Sequence, residues 1–423
     1  MTRAGSATSS RVDRAPRPLS VPLALTLVFL TGVNIRAVFG VTPPLVPAIS
    51  ADLGLSSTAA SLLTSVPILA MAGGAPLGHL LSSRFGGDRT MTGLLVLLSA
   101  AELSRVAMSS TPPLVVSAAF IGVALGCLST LTPALIAHHL PGLPGLATGV
   151  YATAMAVGVG LAAGTALPVA DLLGGWRGAL AVWGLLPWAL VAGVAWARWR
   201  GAGIPVDRSS HGQPFSLPLR EGRAWFLTAL YSVPMFLGFG VIAWLPTLFV
   251  ENGISPSTAG LYLVCFQAVQ LVSILGLTHV TDRTTGRRAV FAVAMTTSTV
   301  GLALLVLDPV GVAIPGLLLA GFGIGGGSGL ALVKVQDEAV SLADATRLSS
   351  MTMLFSFAAG ATGPFLAGLL RDHAGSLRPA FAMFLGVSAL SLLLLVRMRP
   401  ARTSQPAGDK TLESMHINGL ESP

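Results

Sequence analysis

The sequence predicts an all-α integral membrane protein whose twelve transmembrane helices form two pseudo-symmetric six-helix bundles. Three observations carry this prediction. Hydrophobic residues make up 53% of the chain and charged residues only 10%, with a mean hydropathy of +0.77; an ordinary soluble domain is about a quarter charged. Twelve apolar stretches are long enough to cross about 30 Å of hydrocarbon. Finally, landmark residues of the first half recur in the second at a nearly constant displacement.

The spans fall at residues 21–45, 57–82, 90–109, 113–137, 145–171 and 178–198, then at 223–250, 256–280, 288–307, 311–335, 347–371 and 378–397. The 49 glycines and 28 prolines sit among Leu, Val and Ala, where they suit packed and kinked membrane helices. Pro43 and Pro44 are expected to bend or loosen the outer end of helix 1. Arg3, Arg11, Arg14 and Arg17 ahead of an apolar run from Val21 look like a signal peptide, but the run is too long and lacks an A-x-A cleavage site. A retained first helix is predicted.

These boundaries divide the chain into a tail (1–20), a six-helix bundle (21–198), a polar linker (199–222), a second bundle (223–397) and a disordered tail (398–423). An even number of spans puts both tails on one side. Arg84, Arg89, Arg198, Arg200, Arg208, Arg220, Arg223, Arg283, Arg287, Arg288 and Arg397 share that side, against Arg105, Arg177, Arg371 and Arg378 on the other. The positive-inside rule then makes both termini cytoplasmic, in a multi-pass plasma (inner) membrane protein. It also accounts for the net charge of +8 without nucleic acid, since the basic residues flank apolar runs instead of forming a stripe.

A displacement of 199 residues superposes Pro47 on Pro246, Gly54 on Gly253, Ser56 on Ser255, Arg84 on Arg283, Gly87 on Gly286 and Arg89 on Arg288. A displacement of 201 brings Gly122 to Gly323, Gly126 to Gly327 and Arg177 to Arg378. Two like-oriented six-helix repeats are the architecture of major facilitator transporters, with a substrate site at midplane between the halves.

The loop after helix 8, "GLTHVTDRTTGRRAV", is similar to the major facilitator signature of glycine, Asp-Arg and Gly-Arg-Arg. "GHLLSSRFGGDR", after helix 2, is a degraded copy in which Ser83 stands opposite Asp282. The resemblance implies a gate built from Arg84, Gly87 and Arg89 in one half and Asp282, Arg283, Gly286, Arg287 and Arg288 in the other, with the carboxylate clamp confined to Asp282. Within the superfamily the chain resembles the cyanate/2-nitroimidazole transporter branch. "GVNIRAVFGVTPPL", "TPALIAHHLPGLPGLATGVYATAM", "FGVIAWLPTLFVENGIS" and "GGWRGAL" carry that likeness. Helix 5 reads "GVGLAAGTALP" without the Gly-Pro pair of drug/proton antiporters.

Arg36 is the candidate ligand group. It lies about 22 Å along a helix that starts at Val21, and an arginine at such depth usually faces a bundle interior or water-filled cavity. Its five donors and permanent charge suit a small anion or a nitro or carboxylate oxygen pair. Asn34, about 200° around the helix from Arg36, either joins it through a loosened helix or bonds a neighbouring one. Tyr151, Phe239, Trp244 and Gln267 are the remaining candidates for the walls of the cavity.

Glu102 and Arg105, three residues apart, are expected to satisfy each other as an ion pair. Arg36 is thereby left without a protein counter-ion. A coupled proton, if there is one, needs Glu102, a histidine or the substrate itself. Lys334 has Asp337 and Glu338 at pairing distance along its helix. Cys127 and Cys265 lie in apolar runs and form neither a disulfide nor a metal site.

"GFGIGGGSG" lacks the P-loop lysine-serine ending and reads as a packing stripe. No nucleophile/base pair, metal cluster or cofactor motif points to an enzyme. The sequence therefore predicts a monomeric secondary transporter of a small polar or anionic organic solute. A broad-specificity efflux pump and a non-transporting sensor are the alternatives.

Overall fold

The computed structural model describes residues 19–200, 217–283 and 287–397. Most of the terminal tails and of the linker, and Gly286, lie outside this set; so do the side chains of Asp282, Arg283 and Arg287. Among the described residues there are twelve helices long and apolar enough to cross a membrane. They are α1 (Val21–Leu53), α2 (Ser57–Phe85), α3 (Gly87–Ser104), α4 (Thr111–His139), α5 (Pro144–Leu172), α6 (Trp176–Trp199), α7 (Gly222–Glu251), α8 (Pro256–Arg283), α9 (Arg287–Leu307), α10 (Ala313–Asp337), α11 (Leu342–Ala374) and α12 (Arg378–Ser391).

The repeat in the sequence is a repeat of local chemistry. Gly54 ends α1 with φ 62°, and Gly253, just past α7, has φ 88°. Both adopt the left-handed conformation that a side chain disfavours. Two residues on, Ser56 accepts from the Ala59 N–H at 3.1 Å and Ser255 from the Thr258 N–H at 3.3 Å, each capping the next helix. Arg177 Nε donates to the Val106 carbonyl (3.2 Å) and Arg378 Nε to the Val306 carbonyl (3.0 Å), tying the start of α6 to the turn after α3 and the start of α12 to the end of α9.

Packing follows the same symmetry. Helix α1 lies along α5 as α7 lies along α11, and α2 along α4 as α8 along α10. The halves meet through α2 against α11 and α5 against α8, which exchange places under the repeat. Close approach of α1 and α5 depends on glycine. A Cβ on Gly40 would fall on the backbone of Val159, and one on Gly158 on the backbone of Val33.

One expectation is corrected here. Helix α1 runs as unbroken α-helix through Pro43, Pro44 and Pro47 instead of loosening at the first pair. Proline costs each turn a hydrogen bond, but neighbouring helices hold the buried segment in place. The third and twelfth spans end in 3₁₀ segments, Arg105–Ala107 and Leu392–Arg397, and run over Gly87–Ala107 and Arg378–Leu395.

Candidate functional site

Arg36 is half-buried on α1, one turn from Gly32 and one from Gly40. These glycines bring α1 against α5, and the intervening arginine lies where α1 also meets α7. Its guanidinium carbon lies 6.0 Å from the centroid of the Phe39 ring and 5.5 Å from that of Phe239. Those rings are 5.5 Å apart, and Phe357 of α11 adds a third ring 6.2 Å from Phe239.

The phenols of Tyr151 (α5) and Tyr231 (α7) lie within electrostatic reach of the charge. Among the described residues Arg36 forms no salt bridge. The outcome is a cation held by aromatic faces, which interact by about 0.5–2 kcal/mol each, with its hydrogen-bond donors uncommitted. Such a group can take an anionic or strongly dipolar oxygen pair. The cage draws on both halves: Arg36, Phe39 and Tyr151 belong to the first, and Tyr231, Phe239 and Phe357 to the second.

Of the residues predicted for this site, Arg36, Tyr151 and Phe239 come together. Asn34 does not join them: it is buried, and its Nδ2 donates to the Leu30 carbonyl of its own helix at 2.8 Å. The continuous helix turns it away from Arg36, and with Leu30 at hand it needs no neighbouring helix for this bond. Trp244 lies deeper along α7, where its Nε1 donates to the Pro364 carbonyl of α11 at 2.9 Å. It braces two helices. Gln267, on α8, is buried with its Oε1 lacking a partner.

Sequence reasoning missed Phe39, Tyr231 and Phe357. Phe39 was within reach, since three residues separate it from Arg36 on one helical face. The chain has only three tyrosines, and two of them flank the guanidinium; that scarcity was the available signal for Tyr231.

Beyond the cage, at the end opposite the termini, the halves are bonded together. The Asp372 carboxylate of α11 sits on the N-terminus of α2, accepting from the N–H groups of Ser57 (2.7 Å) and Thr58 (2.8 Å) and from the Thr58 hydroxyl (2.6 Å). Anionic groups are favoured there because the first N–H groups of a helix have no intrahelical partners. Arg371 donates to Ser57 Oγ at 2.8 Å and to Glu251 of α7 at 2.5 Å. Nearby, Gly164 of α5 packs against Val264 of α8.

At the other end, Arg84, Arg89 and Arg288 are exposed, and Arg84 stacks on Phe85 at 5.7 Å. Gly87 opens α3. The acid of this region in the first half is Asp88, which meets Arg198 of α6 at 4.0 Å. Lys334 pairs with Glu338 at 2.7 Å. The clamp expected at Asp282 and Arg283, with Gly286 and Arg287, falls on positions or side chains outside those described.

The expected Glu102–Arg105 ion pair is not formed within 4.0 Å. Arg105, the first residue of the 3₁₀ turn, instead donates from Nε to Ser117 Oγ of α4 at 3.0 Å, which draws its side chain toward α4. Among the described residues no group of His, Cys, Asp or Glu is arranged to hold a metal ion.

Twelve membrane-length helices, a two-fold repeat and a charged site between the halves define a membrane transporter, not an enzyme. The sequence model of the Major Facilitator Superfamily matches residues 27–339 and 235–418, and the chain belongs to that superfamily. It is 29% identical to the 2-nitroimidazole transporter of Escherichia coli (strain K12), covering 87% of this chain and 92% of that protein. Identity to the cyanate transport protein CynX of the same organism is 27%, covering 90% and 98%. The crystal structure of the nucleoside transporter NupG shares the fold, with a TM-score of 0.73 at 14% identity over 89% of this chain and 99% of that one.

Proposed function

We propose that the protein is a secondary transporter of a small anionic or strongly dipolar organic solute, in the class of cyanate and nitroimidazoles, and that Arg36 is its principal ligand group. One observation carries this reading: a guanidinium between Phe39 and Phe239, at the junction of the halves, forms no salt bridge among the described residues. Only a ligand that brings negative charge or a strong dipole gains from such a site. A hydrophobic cation is repelled by it, which weighs against broad-specificity drug efflux.

Transport follows by alternating access. The Asp372 and Arg371 bonds close one end of the junction, and rocking of the halves opens that end and closes the other. With the charge bias placing the termini in the cytoplasm of a plasma membrane protein, the conformation described here is closed outward. In this reading the molecule works as a monomer, with its complete site inside one chain.

Purified protein in liposomes should take up radiolabelled cyanate or 2-nitroimidazole with saturation, each competing with the other, and Arg36→Ala should abolish uptake. Saturable uptake that survives Arg36→Ala would sink the assigned role. Binding of both compounds without flux would replace the transporter by a sensor.

A further inference from the structure

A second buried polar site lies inside the first half, on the far side of α1 from Arg36. A small cavity is lined by Val38 and Val41 of α1, Leu180 and Trp183 of α6, Glu102 of α3 and Arg105 of the following 3₁₀ turn. Two donors of its lining residues, Arg105 Nη2 and Trp183 Nε1, are buried without a partner among the described residues. Arg105 is 3% exposed and keeps one bond, from Nε to Ser117. An unsatisfied buried donor costs about 1–3 kcal/mol, more when it is charged.

Glu102 is the one acidic side chain among the residues that line the cavity with them. Yet among the described residues it lies in no ion pair, although Arg105 is its charged neighbour. Among the described residues the other lining groups are not titratable: α1 supplies Val38 and Val41, and α6 supplies Leu180 and Trp183, with Gly184 against the Glu102 stem; Ser117 of α4 holds Arg105 from behind. An ionised carboxylate beside two empty donors would close on them. A neutral carboxyl has much less reason to.

We propose that Glu102 is the proton-binding site of the transport cycle. In the state described here it carries a proton; in another state the carboxyl releases it to water, and the resulting carboxylate closes on Arg105 Nη2 and Trp183 Nε1. The coupling element is α1, which presents Val38 to this cavity and, about 200° around the helix, Arg36 to the cage. One anion at Arg36 together with one proton at Glu102 adds no net charge to the moving protein, and on that balance the proposal has solute and proton travel together. This second step rests on the solute class proposed above; the proton site itself does not.

Trp183 provides a reporter independent of transport. Fluorescence of the full-length protein, read as the difference between wild type and Trp183→Phe, should show a pH-dependent transition that Glu102→Gln removes and Glu102→Asp retains. A transition unchanged in Glu102→Gln overturns the assignment. Should that variant not fold, Arg105→Gln decides, because loss of the facing charge must move the transition, and an unmoved one overturns it.

In liposomes, a gradient of one pH unit should drive about tenfold accumulation of cyanate or 2-nitroimidazole if one proton accompanies each molecule. The ratio of uptake with and without the gradient should fall to about one in Glu102→Gln. Wild-type uptake indifferent to the gradient overturns the coupling. If neither compound is transported, the solute class fails, and the fluorescence titration still decides the proton site.

Discussion

Removing the Asp372 carboxylate is expected to release the seal between α2 and α11. It accepts three hydrogen bonds from Ser57 and Thr58, all across the junction of the halves. A hydrogen bond to a charged group contributes about 1.5–3 kcal/mol, and a carboxylate at an exposed helix N-terminus about 0.3–1 kcal/mol. Asp372 is exposed, so water replaces much of what it supplies, and the lower end of each range applies. Asp372→Ala should therefore disfavour the closed end by roughly 1–2 kcal/mol, a shift of about 5–30-fold in the ratio of closed to open molecules. Asp372→Asn, which keeps one acceptor oxygen, should fall between this variant and wild type.

Spin labels at Ala51 and His373, one on each half at the sealed end, would report the ratio through pulsed electron resonance distances, with Cys127 and Cys265 first replaced by alanine and serine. The longer distance should gain population in Asp372→Ala. An unchanged distribution would refute the claim that these bonds hold the end shut.

Four further outcomes are expected. Arg36→Lys keeps the charge but loses the planar fork, so solute affinity in a binding assay should fall while remaining measurable, in contrast to Arg36→Ala. Phe239→Leu removes one aromatic face, and solute binding should weaken by about 1 kcal/mol, or several-fold. Trp244→Phe breaks the bond to the Pro364 carbonyl, and thermal unfolding of the purified protein should show a loss of about 1–2 kcal/mol. At the end bearing the termini, burial raises the Asp344 carboxyl, but the Val340 N–H and the Arg223 guanidinium outweigh it and hold the group below the usual carboxylate range. Its contribution is thus present above the unfolded value near 3.9 and lost as pH falls through the lower folded value. Asp344→Asn should lower the melting temperature equally at pH 7 and pH 5, and the two proteins should converge only in stronger acid.

The membrane architecture was legible in the sequence because the bilayer imposes it locally: length and apolarity specify each span without knowledge of its neighbours. The repeat was legible for a related reason. Gly54 with Gly253, and Ser56 with Ser255, perform turn and capping chemistry that few other residues perform. Arg36 was conspicuous because charge is so costly in hydrocarbon. The surroundings of that charge were not legible, since Tyr231 and Phe239 are some 200 residues away and reach it only after the halves assemble. Trp244 failed as a site residue because an indole can serve a ligand or a backbone carbonyl equally well, and the carbonyl freed for it on α11 is a tertiary fact. The Glu102–Arg105 spacing misled for a smaller reason: Ser117 of α4 offers Arg105 another partner, and that contact is a tertiary fact that spacing along one helix does not carry.

The ownership of the aromatic cage has a thermodynamic consequence. A guanidinium carried by one half and faced by a ring from the other makes the cage a property of one relative position of the halves, not of either half alone. Any solute that prefers the assembled cage must therefore bind the two conformations with different strength. By reciprocity it biases the conformational equilibrium by the same factor. The solute is then both cargo and effector, and its affinity on one side of the membrane cannot be altered at Phe239 without also altering how readily the loaded protein turns over.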